Sequence, residues 1–292
     1  MIIDTHCHYN LDPLYGPQGS TWQLHRKKAK EYDVSASVVV GTSIETSRSA
    51  IEISEIDPTL HAAVGLHPSL IAEEWLATVE TIADEKKQRD SLENTIHQSI
   101  AALENLITTA PKDRIIALGE AGLDYFRLDE TLATTTLVKD AQRTLFTAQI
   151  ALAEKYSLPL ILHVRDTGSA AYSTVLELLR THKKSDTPFI LHCVSGSVAY
   201  VQEALSLGAY IGVAGNVTYK NATIIQEIVR ATPKNRILLE TDAPFLPPTP
   251  HRGQPCEPWM ISLTAQYLSE MLDGTLDQVV ENTNCIFPRI LI

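Results

Sequence analysis

Apolar and β-branched residues recur along this chain in short runs, with helical periodicity in most of the intervals between them. The runs are IIDTHCH (2 to 8), ASVVVGT (36 to 42), HAAVGLH (61 to 67), IIALGE (115 to 120), PLILHV (159 to 164), FILHC (189 to 193), AYIGVAG (209 to 215) and ILLETD (237 to 242). In the intervals, Leu92, Ile96, Ile100, Leu103 and Ile107 keep a spacing near 3.6 residues, as do Leu145, Ala148, Leu152 and Tyr156. Each set gives a helix one apolar stripe to bury. Strands returned by helices predict a parallel sheet, and eight of them predict an α/β chain forming a single TIM-type (β/α)8 barrel over residues 1–292. Such a barrel carries its chemistry at the C-terminal ends of its strands.

The polar residues fit that expectation. His6, His8, His67, Glu120, His163, His192 and Asp242 all fall at the ends of apolar runs. In the first run strand alternation puts Asp4, His6 and His8 on one face and Thr5 and Cys7 on the other. Any one strand-end histidine has an ordinary reading as a hydrogen-bonded core or loop residue. Five histidines and two carboxylates at one mouth point instead to divalent metal. A single zinc-like site with an open position takes about three or four protein ligands, and six are on offer, so two ions are expected. Glu120 is the natural bridge, holding the ions about 3.5–4 Å apart. His6, His8 and Asp242 then complete one site, and His163 with His192 the other.

Composition narrows the class. An apolar fraction of 44% with 20% charged residues is that of a globular protein. No apolar run approaches the roughly 18 residues of a membrane span. No basic segment followed by an apolar stretch and a cleavage site precedes the first strand, so a cytoplasmic location without membrane association is expected. Cys7, Cys193, Cys256 and Cys285 lie far apart without a CxxC, as reduced, buried thiols do. A net charge of −11 argues against sequence-independent wrapping of nucleic acid, though metal-binding carboxylates count as negative only until their cations arrive. The charged stretch 84 to 90 reads as a solvated helix face or turn.

These residues also carry a resemblance. DTHCH (4 to 8), GLHP (65 to 68), GEAGLDY (119 to 125), PLILHVRD (159 to 166), HCVSG (192 to 196), ETDAP (240 to 244) and HRG with EP (251 to 258), continuing to NTN (282 to 284), resemble in order the TatD family of metal-dependent deoxyribonucleases. DxHxH alone also occurs in other amidohydrolase-like barrels. The ordered set is far more specific and spans essentially the whole chain.

The resemblance implies a TIM-type barrel and a divalent cluster of Mg²⁺, Mn²⁺ or Zn²⁺. It also implies phosphodiester hydrolysis, frequently as a 3′ to 5′ exonuclease preferring single-stranded DNA. Carried over by position, the ligands are His6, His8, Glu120, His163, His192 and Asp242, with Asp242 also the base that takes a proton from the attacking water. His67 and Arg165 sit where a donor or cation meets a non-bridging phosphate oxygen, or else supports the ligands. Glu240 is expected to act as an acceptor behind the ligands or, alternatively, as a ligand of an additional, loosely held ion, Asp4 to orient a ligand histidine, and Asp124 and Arg127 to orient residues or meet phosphate.

The chain departs from the pattern at Cys256, where the family tends to carry Asn, and in the long interval from 71 to 112. Two other functions use the same residues. One is a metal-dependent deacylase or amidohydrolase, such as a D-aminoacyl-tRNA deacylase; the other is a non-catalytic binding protein. A self-closed barrel is expected to be a monomer.

Overall fold

The computed structural model describes residues 1–272, except 20, 80, 81, 83, 127 and 129–133, together with residue 277. Arg127, the NTN segment and Cys285 therefore lie outside the described residues. Eight strands pair in parallel in chain order. They are β1 (Ile2–Cys7), β2 (Val34–Val40), β3 (Leu60–Val64), β4 (Ile115–Asp124), β5 (Leu160–Arg165), β6 (Phe189–Leu191), β7 (Ala209–Val213) and β8 (Ile237–Leu239). The returns among the described residues are α1 (Trp22–Glu31), α2 (Ile44–Ile56), α3 (Leu76–Val79), α4 (Glu85–Thr109), α5 (Thr134–Tyr156), α6 (Ala170–His182), α7 (Val198–Ser206) and α8 (Thr223–Ala231); α9 (Ile261–Met271) follows β8. This is the expected (β/α)8 barrel.

The seam between β8 and β1 is stitched rather than regularly laddered. Thr5 Oγ1 donates to Leu239 O at 2.8 Å, the Asp242 amide to His6 O at 2.9 Å and the His8 amide to Ala243 O at 2.7 Å. Asp4 locks the seam, its carboxylate accepting from the Thr241 amide at 2.9 Å, Thr241 Oγ1 at 2.7 Å and the His6 amide at 3.3 Å.

Strict alternation fails in β1. Ile3 packs among inward-facing Ala36 and Val38, whereas Cys7 joins the layer against the helices. The ladder to β2 shifts register between Asp4 and Cys7, an irregularity of the kind that re-aims side chains. The expectation that Asp4 shares the histidines' face is thus corrected: its carboxylate ties the seam and touches a ligand histidine at the His6 amide.

Two hydrophobic layers hold the barrel. Strand residues alone, including Val38, Val40, Ile116, Ile161, Ile190 and Leu238, fill the interior. A larger layer packs the outer strand faces against the helices, with Leu92, Ile96 and Leu103 of α4 and Leu145 and Leu152 of α5 buried as their spacing predicts. The segment 84 to 90 begins α4, with Asp84 capping it by accepting from the Lys87 amide at 3.0 Å and the charged side chains that follow lying largely in solvent. The interval before α4 holds a π-helical turn, Ile71–Trp75, and the short α3. No helix among the described residues is long and apolar enough to cross a membrane.

The strands end at different residues from the apolar runs, and three of these differences bear on the site. β4 continues to Asp124, past the run's end at Glu120, while β6 stops at Leu191 and β8 at Leu239. His192, Glu240 and Asp242 therefore stand on the first turns beyond their strands. Cys193 and Asp242 there have positive φ values of 44° and 57°, a conformation uncommon for non-glycine residues.

Candidate metal centre

Glu120 stands in the middle of the barrel mouth, and its two oxygens face different imidazoles. Oε2 lies 3.6 Å from His6 Nε2 and 3.8 Å from His8 Nε2. Oε1 lies 2.9 Å from His163 Nδ1, 3.4 Å from His192 Nε2 and 3.6 Å from His67 Nε2. Asp242 Oδ1 closes the first group at 3.3 Å from His8 Nε2 and 3.7 Å from His6 Nε2, and it is 3.9 Å from His192 Nε2. The structure thus brings His6, His8, Glu120, His163, His192, Asp242 and His67 into one cluster. Arg165 stays at its rim, exposed at the end of β5, with its guanidinium carbon 3.9 Å over the Phe126 ring.

Hydrogen bonds behind the rings set their tautomers. His8 Nδ1 is 2.8 Å from the Val40 carbonyl, which only accepts, so Nδ1 carries the proton and a neutral ring leaves the Nε2 lone pair facing His6 Nε2 at 3.1 Å. Ligand atoms on a tetrahedral ion with bonds of about 2.0–2.1 Å stand roughly 3.3 Å apart. The His6 and His8 Nε2 atoms stand 3.1 Å from each other and 3.3 to 3.8 Å from the Glu120 and Asp242 oxygens, which fits that spacing. His6 Nδ1 is buried without a protein partner.

His67 is built the other way. Its Nδ1 accepts from the Ser69 amide at 3.1 Å, so the neutral ring carries its proton on Nε2, aimed toward Glu120. Burial, aided by neighbouring His163, pushes His67 down to about 3. It is a neutral donor at the mouth, and a bare nitrogen for a cation is what it lacks.

The carboxylates behind the histidines complete the arrangement. Asp124 Oδ2 lies 3.1 Å from His163 Nε2, so each ring nitrogen of His163 meets a carboxylate. Glu240 Oε1 lies 3.2 Å from His192 Nδ1, an ion-pair distance off hydrogen-bond alignment, and accepts from the Cys193 amide at 2.5 Å. Glycine at 212 leaves room for that carboxylate: a Cβ there would stand 2.1 Å from Glu240 Oε2.

The field of these acids shows in the protonation of the cluster. Burial opposes charge on Glu120, yet His192, His67, His163 and His6 hold it well below the usual carboxylate range. Burial likewise opposes charge on His163 and His192, yet Asp124 and Glu120 raise the first to about 9, and Glu240, Glu120 and Asp242 raise the second to about 10. The cluster therefore demands positive charge, as protons or as cations competing for the same lone pairs.

Two glutamines of α5 position the strand ends, and nothing in the reading of the apolar runs singles them out. Gln149 grips Leu66, next to His67, accepting from its amide at 2.8 Å and donating to its carbonyl at 2.9 Å. Gln142 grips Asp124 in the same way at 2.9 and 3.0 Å. Two glutamines seven residues apart, on the face that also carries Leu145 and Leu152, were the available signal. Cys256, the departure from the pattern, is fully buried with its amide bonded to Pro244 O at 2.9 Å, while the adjacent Glu257 binds Lys28 and His25. It packs beneath the loop after β8.

A parallel (β/α)8 barrel with histidines and acids gathered at its C-terminal strand ends defines a metal-dependent hydrolase of the amidohydrolase-like kind. The sequence profile of the family described as "TatD related DNase" matches residues 3–291, and the chain belongs to that family. It is 30% identical over 283 residues to YabD of Bacillus subtilis (strain 168), described as an uncharacterized metal-dependent hydrolase, covering 97% of this chain and 96% of that one. The crystal structure of YjjV, a TatD homolog from Escherichia coli K12, superposes with a TM-score of 0.74 at 26% identity, covering 98% of each chain. A TatD family hydrolase of Entamoeba histolytica shares the fold, with a TM-score of 0.72 at 20% identity over 98% of this chain and 97% of that one. The protein is a metal-dependent hydrolase of this family.

Proposed function

We propose that the protein is a divalent-metal phosphodiesterase acting on DNA, with single strands as substrate and a 3′ to 5′ exonuclease preference. It works as a cytoplasmic monomer whose residues 1–292 form one hydrolase domain. The observation that carries this reading is the division of Glu120. One oxygen faces His6 and His8, the other His163 and His192, with separations of 2.9 to 3.8 Å. A carboxylate shared in this way suits a pair of ions, with His6, His8 and Asp242 on one and His163 and His192 on the other. Mg²⁺, Mn²⁺ and Zn²⁺ are all compatible with this mixed set of imidazole and carboxylate ligands. Bound there, the cations would supply Lewis-acid stabilisation of charge on phosphoryl oxygens and would acidify water.

The chain's own residues do the rest. Burial opposes charge on Asp242, but His192, His8 and His6 keep its carboxyl below the usual range, so at neutral pH it is ionised and able to accept a proton from water attacking phosphorus. Asp124 and Glu240 hold the His163 and His192 rings in place, so little reorganisation is needed as charge develops. His67 offers its Nε2 proton, and Arg165 its planar fork, to non-bridging phosphate oxygens.

The test is nucleotide release from labelled single-stranded DNA with each of the three metals. Asp242→Asn is expected to lower kcat by roughly 10²- to 10⁴-fold while the protein stays folded, as its circular dichroism reports. A wild-type protein that releases no nucleotide with any metal while turning over D-aminoacyl-tRNA would contradict the proposal.

A further inference from the structure

We propose that Phe126 and Phe245 are stacking platforms for the nucleobases on the two sides of the scissile phosphate, an inference that rests on the phosphodiesterase reading above. Of the described phenylalanines, Phe146 and Phe189 are fully buried, while Phe126 is 41% and Phe245 51% exposed. A single exposed apolar ring on a protein surface is ordinary. These two share a location. Phe126 follows the end of β4 by two residues, and Phe245 follows Asp242 by three. In a ring of eight strands β4 and β8 lie opposite one another, so the rings flank the mouth with the Glu120 cluster between them.

Both are fastened to that cluster. The Phe126 amide donates to Asp124 Oδ1 at 2.9 Å, from the carboxylate whose other oxygen holds His163. The Phe245 amide donates to the Asp242 carbonyl at 2.7 Å, and its ring meets His8 edge-on with centroids 6.1 Å apart. Arg165 lies over the Phe126 ring, and among the described residues no carboxylate pairs with it. A platform on one side therefore carries its own phosphate-binding fork.

Charge explains why rings are needed. With a net charge of −11, the chain carries no overall excess of the positive charge through which counterion release usually gives nucleic-acid enzymes their affinity. Base–aromatic stacking supplies affinity without such an excess, and it tolerates any sequence because every base has a π face. It also demands unstacked bases. A duplex keeps its bases stacked on one another and cannot present them to rings on opposite sides of the mouth, so the same residues would set the preference for single strands.

Steady-state kinetics on a single-stranded oligonucleotide test the proposal. Phe126→Leu and Phe245→Leu keep apolar bulk but remove the π face. Each is expected to raise KM about tenfold with kcat within about twofold, and Phe126→Trp and Phe245→Trp to restore KM. On an oligonucleotide abasic at its two terminal positions, wild type and the leucine variants should converge on one high KM. Melting temperatures of all four variants confirm that they are folded. The proposal is overturned if wild type degrades DNA while the leucine variants keep its KM, or if wild type binds the abasic strand as tightly as the normal one. Failure of wild type to degrade any DNA overturns it too, together with the phosphodiesterase reading on which it rests.

Discussion

At the scale of residues, the chemistry depends on which nitrogen of each histidine is left bare. Val40 O fixes His8 with Nε2 free, whereas the Ser69 amide fixes His67 with Nε2 protonated, so two histidines at one mouth take opposite roles. Asp124 exerts the same kind of control over His163. Its removal leaves the ring free to rotate, and Asp124→Ala is expected to weaken metal binding by about 10- to 100-fold, measured by calorimetric titration of Mn²⁺. The strand-end histidines and acids were legible in the sequence because each closes an apolar run. Asp124 was harder to assign. The fourth run ends at Glu120, whereas β4 pairs with β5 as far as Asp124 opposite Arg165, where Gln142 grips it.

At the scale of elements, the barrel interior is apolar and the mouth at the C-terminal strand ends is polar. His61, near the start of β3, is the unusual member: it is buried, with neither ring nitrogen hydrogen bonded. Burial, reinforced by nearby Arg114, pushes it down to about 4, well below the ordinary value near 6.5. Between those values the unfolded chain binds a proton that the folded barrel refuses, so the contribution of His61 to stability should be flat above about pH 6.5 and fall as pH drops toward 4. The loss attributable to this residue is on the order of 2–3 kcal/mol. Urea titrations of wild type and His61→Leu at several pH values measure it: the variant's curve should be shallower across that window, and identical slopes would contradict the assignment. The element pattern itself was legible, eight runs giving eight strands. What the sequence concealed was the irregularity of β1. Alternation places Asp4 with the histidines, but the register shift turns its carboxylate to the Thr241 seam, an effect of closing the sheet that no local pattern encodes.

At the scale of the whole molecule, the barrel brings residues from position 6 to position 242 within a few ångströms around one carboxylate. The acids among them keep His163 and His192 protonated at neutral pH when no cation is present. Metal binding should therefore release protons and, because it favours the folded state, raise the melting temperature in proportion to the logarithm of free metal above the dissociation constant. Topology and ligand convergence were legible in the sequence because an eight-stranded parallel barrel has only one chemical face. The rings across the mouth and the glutamine clamps were hidden, since they depend on which strands stand opposite and which helix face meets a strand end. The central claim is that paired cations at Glu120 drive phosphodiester cleavage, and nucleotide release from single-stranded DNA during titration of chelator-stripped protein with Mn²⁺ measures it most directly. Activity should rise from zero and saturate at two ions per chain; release that needs no metal, or none at any metal concentration, would contradict the account.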